Sequence, residues 1–113
     1  MKLKTNLTLC RKESPLLQQD VAQLLKIDTG LFSRYEKGRR PPTLDFILGF
    51  HILFGASMKD IYTDRYMLLQ DTIITRSVTL IEQLETEQSS KRTNSRIAYL
   101  KHIVNGLNNT KYE

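Results

Sequence analysis

A cluster of basic side chains stands in the first half of the chain. Arg34, Lys37, Arg39 and Arg40 bring four positive charges into seven consecutive residues. A guanidinium group can donate two hydrogen bonds to O6 and N7 of guanine, and lysine and arginine bind phosphate oxygens whatever the base sequence. This spacing therefore favours an anionic partner, and nucleic acid is the first candidate.

The other reactive side chains are isolated from one another. His51 and His102 have no cysteine or paired carboxylates at metal-ligand spacing. Cys10 falls on the apolar side of a predicted helix, where an inert thiol is expected. The chain also lacks a glycine-rich phosphate loop, a catalytic dyad and zinc-ligand spacing. We therefore expect no enzymatic activity, no metal and no cofactor.

Length and charge are those of one small basic protein. The chain has 113 residues and a formal net charge of +5, and residues 1–62 hold ten basic against six acidic side chains. The single cysteine cannot form an internal disulfide, and no apolar run of signal-peptide length begins the chain. The most apolar stretch, residues 46–56, is too short to cross a bilayer. We expect a cytoplasmic protein without a membrane span.

Apolar residues recur at helical intervals, and no alternating pattern bounded by hairpin turns is present. The expected fold class is all-α. Pro15, Gly38, Pro41 and Gly55 mark helix ends. The predicted helices cover residues 4–13, 17–25, 29–37 and 44–54, a short segment after Ser57, residues 66–87, and a last segment from Thr93 or Ser95 to about Leu107.

The two predicted helices within residues 18–38 must pack closely against each other. The side chains predicted to fill the space between them are Val21, Ala22, Leu25, Ile27, Phe32 and Tyr35. Asp28 is expected to cap the second of these helices and Thr43 the next one. The core side chains predicted for that next helix are Leu44, Ile47, Leu48, Ile52 and Leu53.

Residues 18–25 and 33–42 resemble the Cro/repressor-like helix-turn-helix family, also called the XRE family. The resemblance implies a five-helix lambda-repressor-like DNA-binding domain over residues 1–62. A C-terminal helical extension of about two helices, residues 63–113, lies outside it.

The resemblance also implies roles for individual residues. Base-reading positions are Thr29, Gly30, Ser33 and Arg34. Positions that contact DNA phosphate are Gln18, Lys37, Arg39, Arg40 and Thr43. Arg11 and Glu36 match an ion pair that orients the recognition helix.

Three positions depart from the family pattern. Lys26 stands where glycine usually adopts a left-handed conformation, Leu17 replaces the usual Ser or Thr cap, and Gly30 gives the reading face no side chain. We therefore expect a domain that reads few bases directly and depends partly on DNA shape.

The expected function is transcriptional regulation by a homodimer on a short palindromic operator, with repression favoured over activation. The extension either completes the core of the monomer or forms the subunit interface, and we favour the interface. A different class remains open, namely a protein-binding module, antitoxin-like or adaptor, that holds a protein partner through the C-terminal helices. Metabolite sensing is a third possibility, although the extension shows no polar cluster that suggests a pocket.

Overall fold

The computed structural model describes residues 4–111, with side chains over residues 4–108. The described residues form seven helices and no strand, which confirms the all-α prediction. The helices are α1 (Leu7–Lys12), α2 (Gln18–Leu25), α3 (Thr29–Glu36), α4 (Leu44–Phe54), α5 (Met58–Ile61), α6 (Thr63–Glu85) and α7 (Lys91–Lys111).

None of these seven helices is long and apolar enough to span a membrane. The chain divides into two compact units, Met1–Met67 and Leu68–Glu113. The boundary lies inside α6, whereas the sequence pattern places it after residue 62.

Side-chain caps explain where several helices begin. α1 begins at Leu7, three residues later than predicted, and the Thr5 hydroxyl accepts a hydrogen bond from the Leu7 amide at 3.0 Å at this start. α5 begins as expected after Ser57, whose hydroxyl accepts from the Asp60 amide at 3.1 Å. The hydroxyl of Ser90 accepts from the Thr93 amide at 3.1 Å, so α7 begins at Lys91.

The last helix also ends later than predicted. The predicted end lies at about Leu107, but α7 continues to Lys111. A single glycine inside a helix lowers its stability by only about 1 kcal/mol, so Gly106 does not end a helix that packing supports.

Aromatic rings form the core of the first unit. Phe46 and Phe50 of α4 are buried, and Phe32 and Tyr35 of α3 pack around them. The prediction of the core residues of α4 is therefore partly wrong. Ile47 and Leu53 do contact the core, but the other three predicted residues are exposed: Leu44 at 72%, Leu48 at 52% and Ile52 at 80%. Both faces of α4 are apolar, so periodicity alone does not identify the buried one.

The helix pair α2–α3 is packed largely as predicted. Val21 and Ala22 are buried, and Leu25 and Ile27 pack against the core. Leu24, which precedes Leu25 on α2, is exposed. Gly49 of α4 lies so close to Leu25 that an added Cβ would approach its Cδ2 to 2.5 Å, so α2 and α4 meet where glycine leaves room.

The second unit is an antiparallel helical hairpin. The side-chain amide of Gln70 in α6 donates to the Leu107 carbonyl of α7 at 3.1 Å, while Leu80, ten residues further along α6, lies beside Arg96 and Leu100. The two chain directions are therefore opposite. Within the part of the hairpin whose side chains are described, residues 68–108, the buried residues are Gln70, Ser77, Ile81, Leu84 and Thr93.

Candidate nucleic-acid interface

The inner face of α3 is fixed by aromatic packing. Phe32 and Tyr35 are buried and meet the Phe46 ring edge to face, with ring centroids 5.6 and 4.7 Å away. Such aromatic pairs add about 0.5–1.5 kcal/mol to the area they bury. α3 therefore has one defined orientation on the first unit.

The opposite face of α3 carries the residues predicted to read bases. Thr29, Gly30 and Arg34 are exposed, and Ser33 is half-buried. Lys37, which follows the helix directly, is exposed as well. Across residues 4–108, neither Arg34 nor Lys37 has an ion-pair partner. The helix thus presents two cations whose charge no neighbouring carboxylate neutralises.

The turn before α3 contains a strained residue. Lys26 has φ +53° and ψ +50°, the left-handed conformation expected at this position from the family pattern. A non-glycine residue adopts it at a cost of roughly 1 kcal/mol. The Ile27 amide bonds the Ala22 carbonyl at 3.0 Å across this turn, which directs the chain from α2 into α3.

Asp28 occupies the N-cap position of α3 but does not act as the expected cap. Its side chain accepts no capping hydrogen bond. The carboxylate instead lies over Gly30, where an added Cβ would sit 2.9 Å from Asp28 Oδ2. The sequence pattern predicts only a capping role for Asp28, yet this arrangement places a negative charge next to the predicted reading face.

The end of α3 positions the two arginines that follow it. Gly38 has φ +70°. Its amide donates a hydrogen bond to the Tyr35 carbonyl at 3.1 Å, and the Arg39 amide donates one to the Arg34 carbonyl at 2.9 Å. This pair of bonds is the Schellman motif, which ends a helix at a left-handed glycine. Arg39 and Arg40 leave the motif exposed, next to Lys37.

Thr43 closes this basic segment and begins α4. Its hydroxyl accepts a hydrogen bond from the Phe46 amide at 3.2 Å, as expected of an N-cap. The hydroxyl hydrogen is not used by that bond, so an exposed Thr43 can still donate to an external acceptor.

A buried carboxylate joins α3 to the two preceding helices. Glu36 Oε2 accepts from Arg11 Nε at 2.9 Å, and Glu36 Oε1 accepts from Arg11 Nη2 at 3.4 Å. The two side chains are only 11% and 3% exposed. Arg11 and Glu36 therefore form the ion pair that the resemblance implies, and it holds α1 against α3.

Gln18, the first residue of α2, belongs to the same group of contacts. Its amide nitrogen donates to Glu36 Oε1. One amide hydrogen is therefore directed into the protein, a contact that the sequence pattern did not indicate. An amide nitrogen carries two hydrogens, so one donor of Gln18 remains for another partner.

A concave surface, separate from the outer face of α3, lies between α1 and the end of α4. This cleft of about 410 Å³ is lined in part by Cys10, Glu13 and Asp60. Burial, and then the charges of Glu13 and Asp60, raise the pKa of the Cys10 thiol. The thiol is therefore held in its protonated, less nucleophilic form. Over the described part of the chain, no three His, Cys, Asp or Glu side chains are grouped to hold a metal ion.

Comparison with known proteins adds no relative. No protein-family model matches the chain, and neither a curated protein nor a solved structure is significantly similar to it. The geometry of α3 and of the basic segment behind it therefore carries the functional argument.

Proposed function

We propose that the protein is a sequence-specific DNA-binding regulator of the XRE helix-turn-helix type, which inserts α3 into the major groove. One observation carries this proposal. The inner face of α3 is held by Phe32 and Tyr35 against α4, while its outer face presents Arg34 without an ion-pair partner among residues 4–108. A groove-reading helix needs both properties.

Arg34 is the residue assigned to direct base recognition, through two hydrogen bonds to guanine O6 and N7. One such contact discriminates against the wrong base by about 1–3 kcal/mol. Thr29 and Ser33 supply hydroxyl groups on the same face. Gly30 contributes no side chain, so the backbone of α3 approaches the base edges closely at that point.

Phosphate contacts come from the two ends of the recognition unit. At one end, the proposed donor is the second amide hydrogen of Gln18, which the bond to Glu36 does not use. At the other, the proposed donors are Lys37, Arg39, Arg40 and the Thr43 hydroxyl. These contacts give affinity without base preference and make binding dependent on salt.

A single recognition helix covers only one half-site. Two copies related by a two-fold axis place two such helices about 34 Å apart, one turn of DNA. The protein is therefore proposed to act as a cytoplasmic homodimer, joined through the C-terminal helices, on a short palindromic operator. Occupation of that operator would exclude polymerase, which makes repression the favoured outcome.

Selection of binding sites from a random duplex pool, followed by affinity measurements on the selected site, tests this proposal. Arg34→Ala is expected to weaken binding by about 1–3 kcal/mol and to relax base choice at one position. Arg39→Ala and Arg40→Ala should weaken all sequences alike and lower the salt slope by about one. Arg76→Ala, which removes a positive charge from α6, is the control. Equal binding by all four variants would refute the assignment.

A second candidate function is that of a protein-binding module. The exposed apolar residues of the hairpin, among them Leu69, Ile73 and Tyr99, favour it. Under this alternative the C-terminal helices hold a different protein and DNA contact is secondary or lost. Co-purification of such a partner, together with no retention of DNA at low salt, would select it over DNA binding.

A further inference from the structure

The start of α3 carries a carboxylate with no structural task among the described residues. Asp28 is exposed, and its side chain accepts no capping hydrogen bond from the helix amides. It also has no ion-pair partner over residues 4–108. An aspartate at this position normally stabilises a helix by accepting from the second or third amide. Because Asp28 does not, its oxygens remain available to accept from a molecule outside the chain.

Gly30 determines where this carboxylate can lie. Oδ2 of Asp28 is 2.9 Å from the point that a Cβ on Gly30 would occupy. A side chain at residue 30 would therefore displace the carboxylate, whereas glycine leaves the place open. Residues 30 and 34 are four apart in a helix and share one face. The Asp28 carboxylate thus stands on the outer face of α3, one turn before Arg34, where a side chain of residue 30 would otherwise begin.

The chemistry of the Asp28 carboxylate restricts which base it can contact. An ionised carboxylate only accepts hydrogen bonds. In the major groove guanine presents O6 and N7 and thymine presents O4, all of which are acceptors. Adenine presents the N6 amino group beside the acceptor N7, whereas cytosine presents the N4 amino group and no acceptor. Cytosine is therefore the base whose edge suits a carboxylate best.

We infer that Asp28 is a specificity-determining residue, whose carboxylate accepts a hydrogen bond from N4 of a cytosine. This inference rests on the proposed DNA-binding function, in which Arg34 contacts guanine. Residues 30 and 34 are about 6 Å apart along the helix axis, at about 1.5 Å per residue. Successive bases of one strand are about 3.4 Å apart. The cytosine should therefore lie about two base pairs from the guanine.

The same carboxylate opposes binding to other sequences. When α3 lies in the groove, the negative charge of Asp28 is near phosphate groups, and like charges repel. A hydrogen bond from cytosine N4 offsets this repulsion only where cytosine is present. Specificity is a difference between two affinities, so a group that weakens binding to the wrong sequence contributes to it. Removal of this charge should therefore raise affinity for unrelated duplexes and lower the preference for the selected site.

Site selection from a random duplex pool tests the inference, followed by affinities for duplexes that carry each of the four bases at one position. At the position about two base pairs from the guanine, the parent is expected to prefer cytosine about tenfold. Asp28→Ala should abolish that preference and keep the preference for guanine. The inference is overturned if Asp28→Ala relaxes no position, or if it relaxes one where the parent prefers another base.

Two further variants examine the contact itself. Asp28→Asn keeps one acceptor and adds donor hydrogens, and asparagine pairs with N6 and N7 of adenine. It should shift the preference at this position from cytosine towards adenine. Gly30→Ala leaves Asp28 in the chain but displaces its carboxylate, so it should weaken the cytosine preference several-fold. Full cytosine preference in Gly30→Ala would overturn the proposed position of the carboxylate.

The matched control is Asp45→Asn. Asp45 is exposed in the first turn of α4, and the substitution removes the same charge from the same unit. It should change the affinities for all four duplexes by one common factor. Loss of the cytosine preference in this control would overturn the inference, because total charge would then set base choice. Circular dichroism checks that each variant keeps the helix content of the parent.

Failure of this inference is distinguishable from failure of the proposed function. If Arg34→Ala relaxes the guanine position while Asp28→Ala relaxes none, the role of Asp28 is refuted and α3 still reads DNA. If the parent selects no sequence at all, both are refuted.

Discussion

The two units of the chain place their apolar residues differently. In the first, α1–α5 bury Phe32, Tyr35, Phe46 and Phe50 in a shared core, and the surface of α3 is polar and basic. Large apolar residues are exposed in both units, but in the hairpin of α6 and α7 the buried positions include the polar Gln70 and Ser77 beside Ile81 and Leu84. The first unit therefore holds α3 against a cluster of rings, whereas the described part of the hairpin buries few large apolar side chains.

The largest expected effect tests the core of the first unit. Phe50→Ala removes a fully buried ring and should lower the free energy of unfolding by about 3–5 kcal/mol. Ile52→Ala, two residues along the same helix but 80% exposed, should stay within about 0.5 kcal/mol of the parent. Urea denaturation measures both. A large loss from Ile52→Ala would show that the exposed side of α4 is covered.

The next effect concerns the buried ion pair. Glu36→Ala leaves the Arg11 guanidinium buried without its partner and should cost about 3 kcal/mol of stability. Replacing both residues, Arg11→Met with Glu36→Leu, should recover most of that loss, because no uncompensated charge remains. Thermal unfolding of the three variants gives the comparison. If the double variant is the least stable, the pair contributes more than orientation.

A smaller effect appears at high pH. Burial, and then the neighbouring Tyr35, raises the pKa of Tyr62 to about 12 from 10.0, and its hydroxyl has no hydrogen-bond partner within the described residues. The folded state therefore holds this proton more tightly than the unfolded state. Stability should be unaffected below pH 10.0 and should fall as the pH rises towards about 12. Tyr62→Phe should reduce this loss in denaturation curves at alkaline pH.

The smallest effect is expected at the reading face. Gly30→Ala should raise stability by about 0.5–1 kcal/mol, because alanine loses less entropy in a helix. The added Cβ meets only the end of the Asp28 side chain, which can rotate away.

Asp28→Asn should strengthen DNA binding by removing a negative charge near the phosphates, and affinity measurements check it. Unchanged affinity would show that the carboxylate lies away from the DNA.

Several features of this fold follow from local sequence rules, while others depend on packing that no local rule contains. Gly38 and Ser57 marked a helix end and a helix start correctly because their effects act within one turn. The buried side of α4 was misjudged because both of its faces are apolar. The contact between Gln18 and Glu36 joins residues 18 positions apart, which helical periodicity does not address.

The same limit applies to the candidate site. The exposed residues on α3 were placed by their spacing from Phe32 and Tyr35, which fixes the outer face once the inner one is known. The position of the Asp28 carboxylate was not foreseen, because it depends on a side-chain rotamer beside Gly30. Dimerisation and operator choice depend on contacts with a second molecule, which spacing within one chain does not encode.

We propose that α3 and the basic segment behind it contact DNA while the hairpin does not. Amide chemical shifts of the ¹⁵N-labelled protein, recorded with and without a selected duplex, test this proposal residue by residue. The largest changes in chemical shift are expected at Thr29, Ser33, Arg34, Lys37 and Arg39, with little change at Leu68 and Tyr99. Shifts confined to α6 and α7, with α3 unchanged, would contradict it.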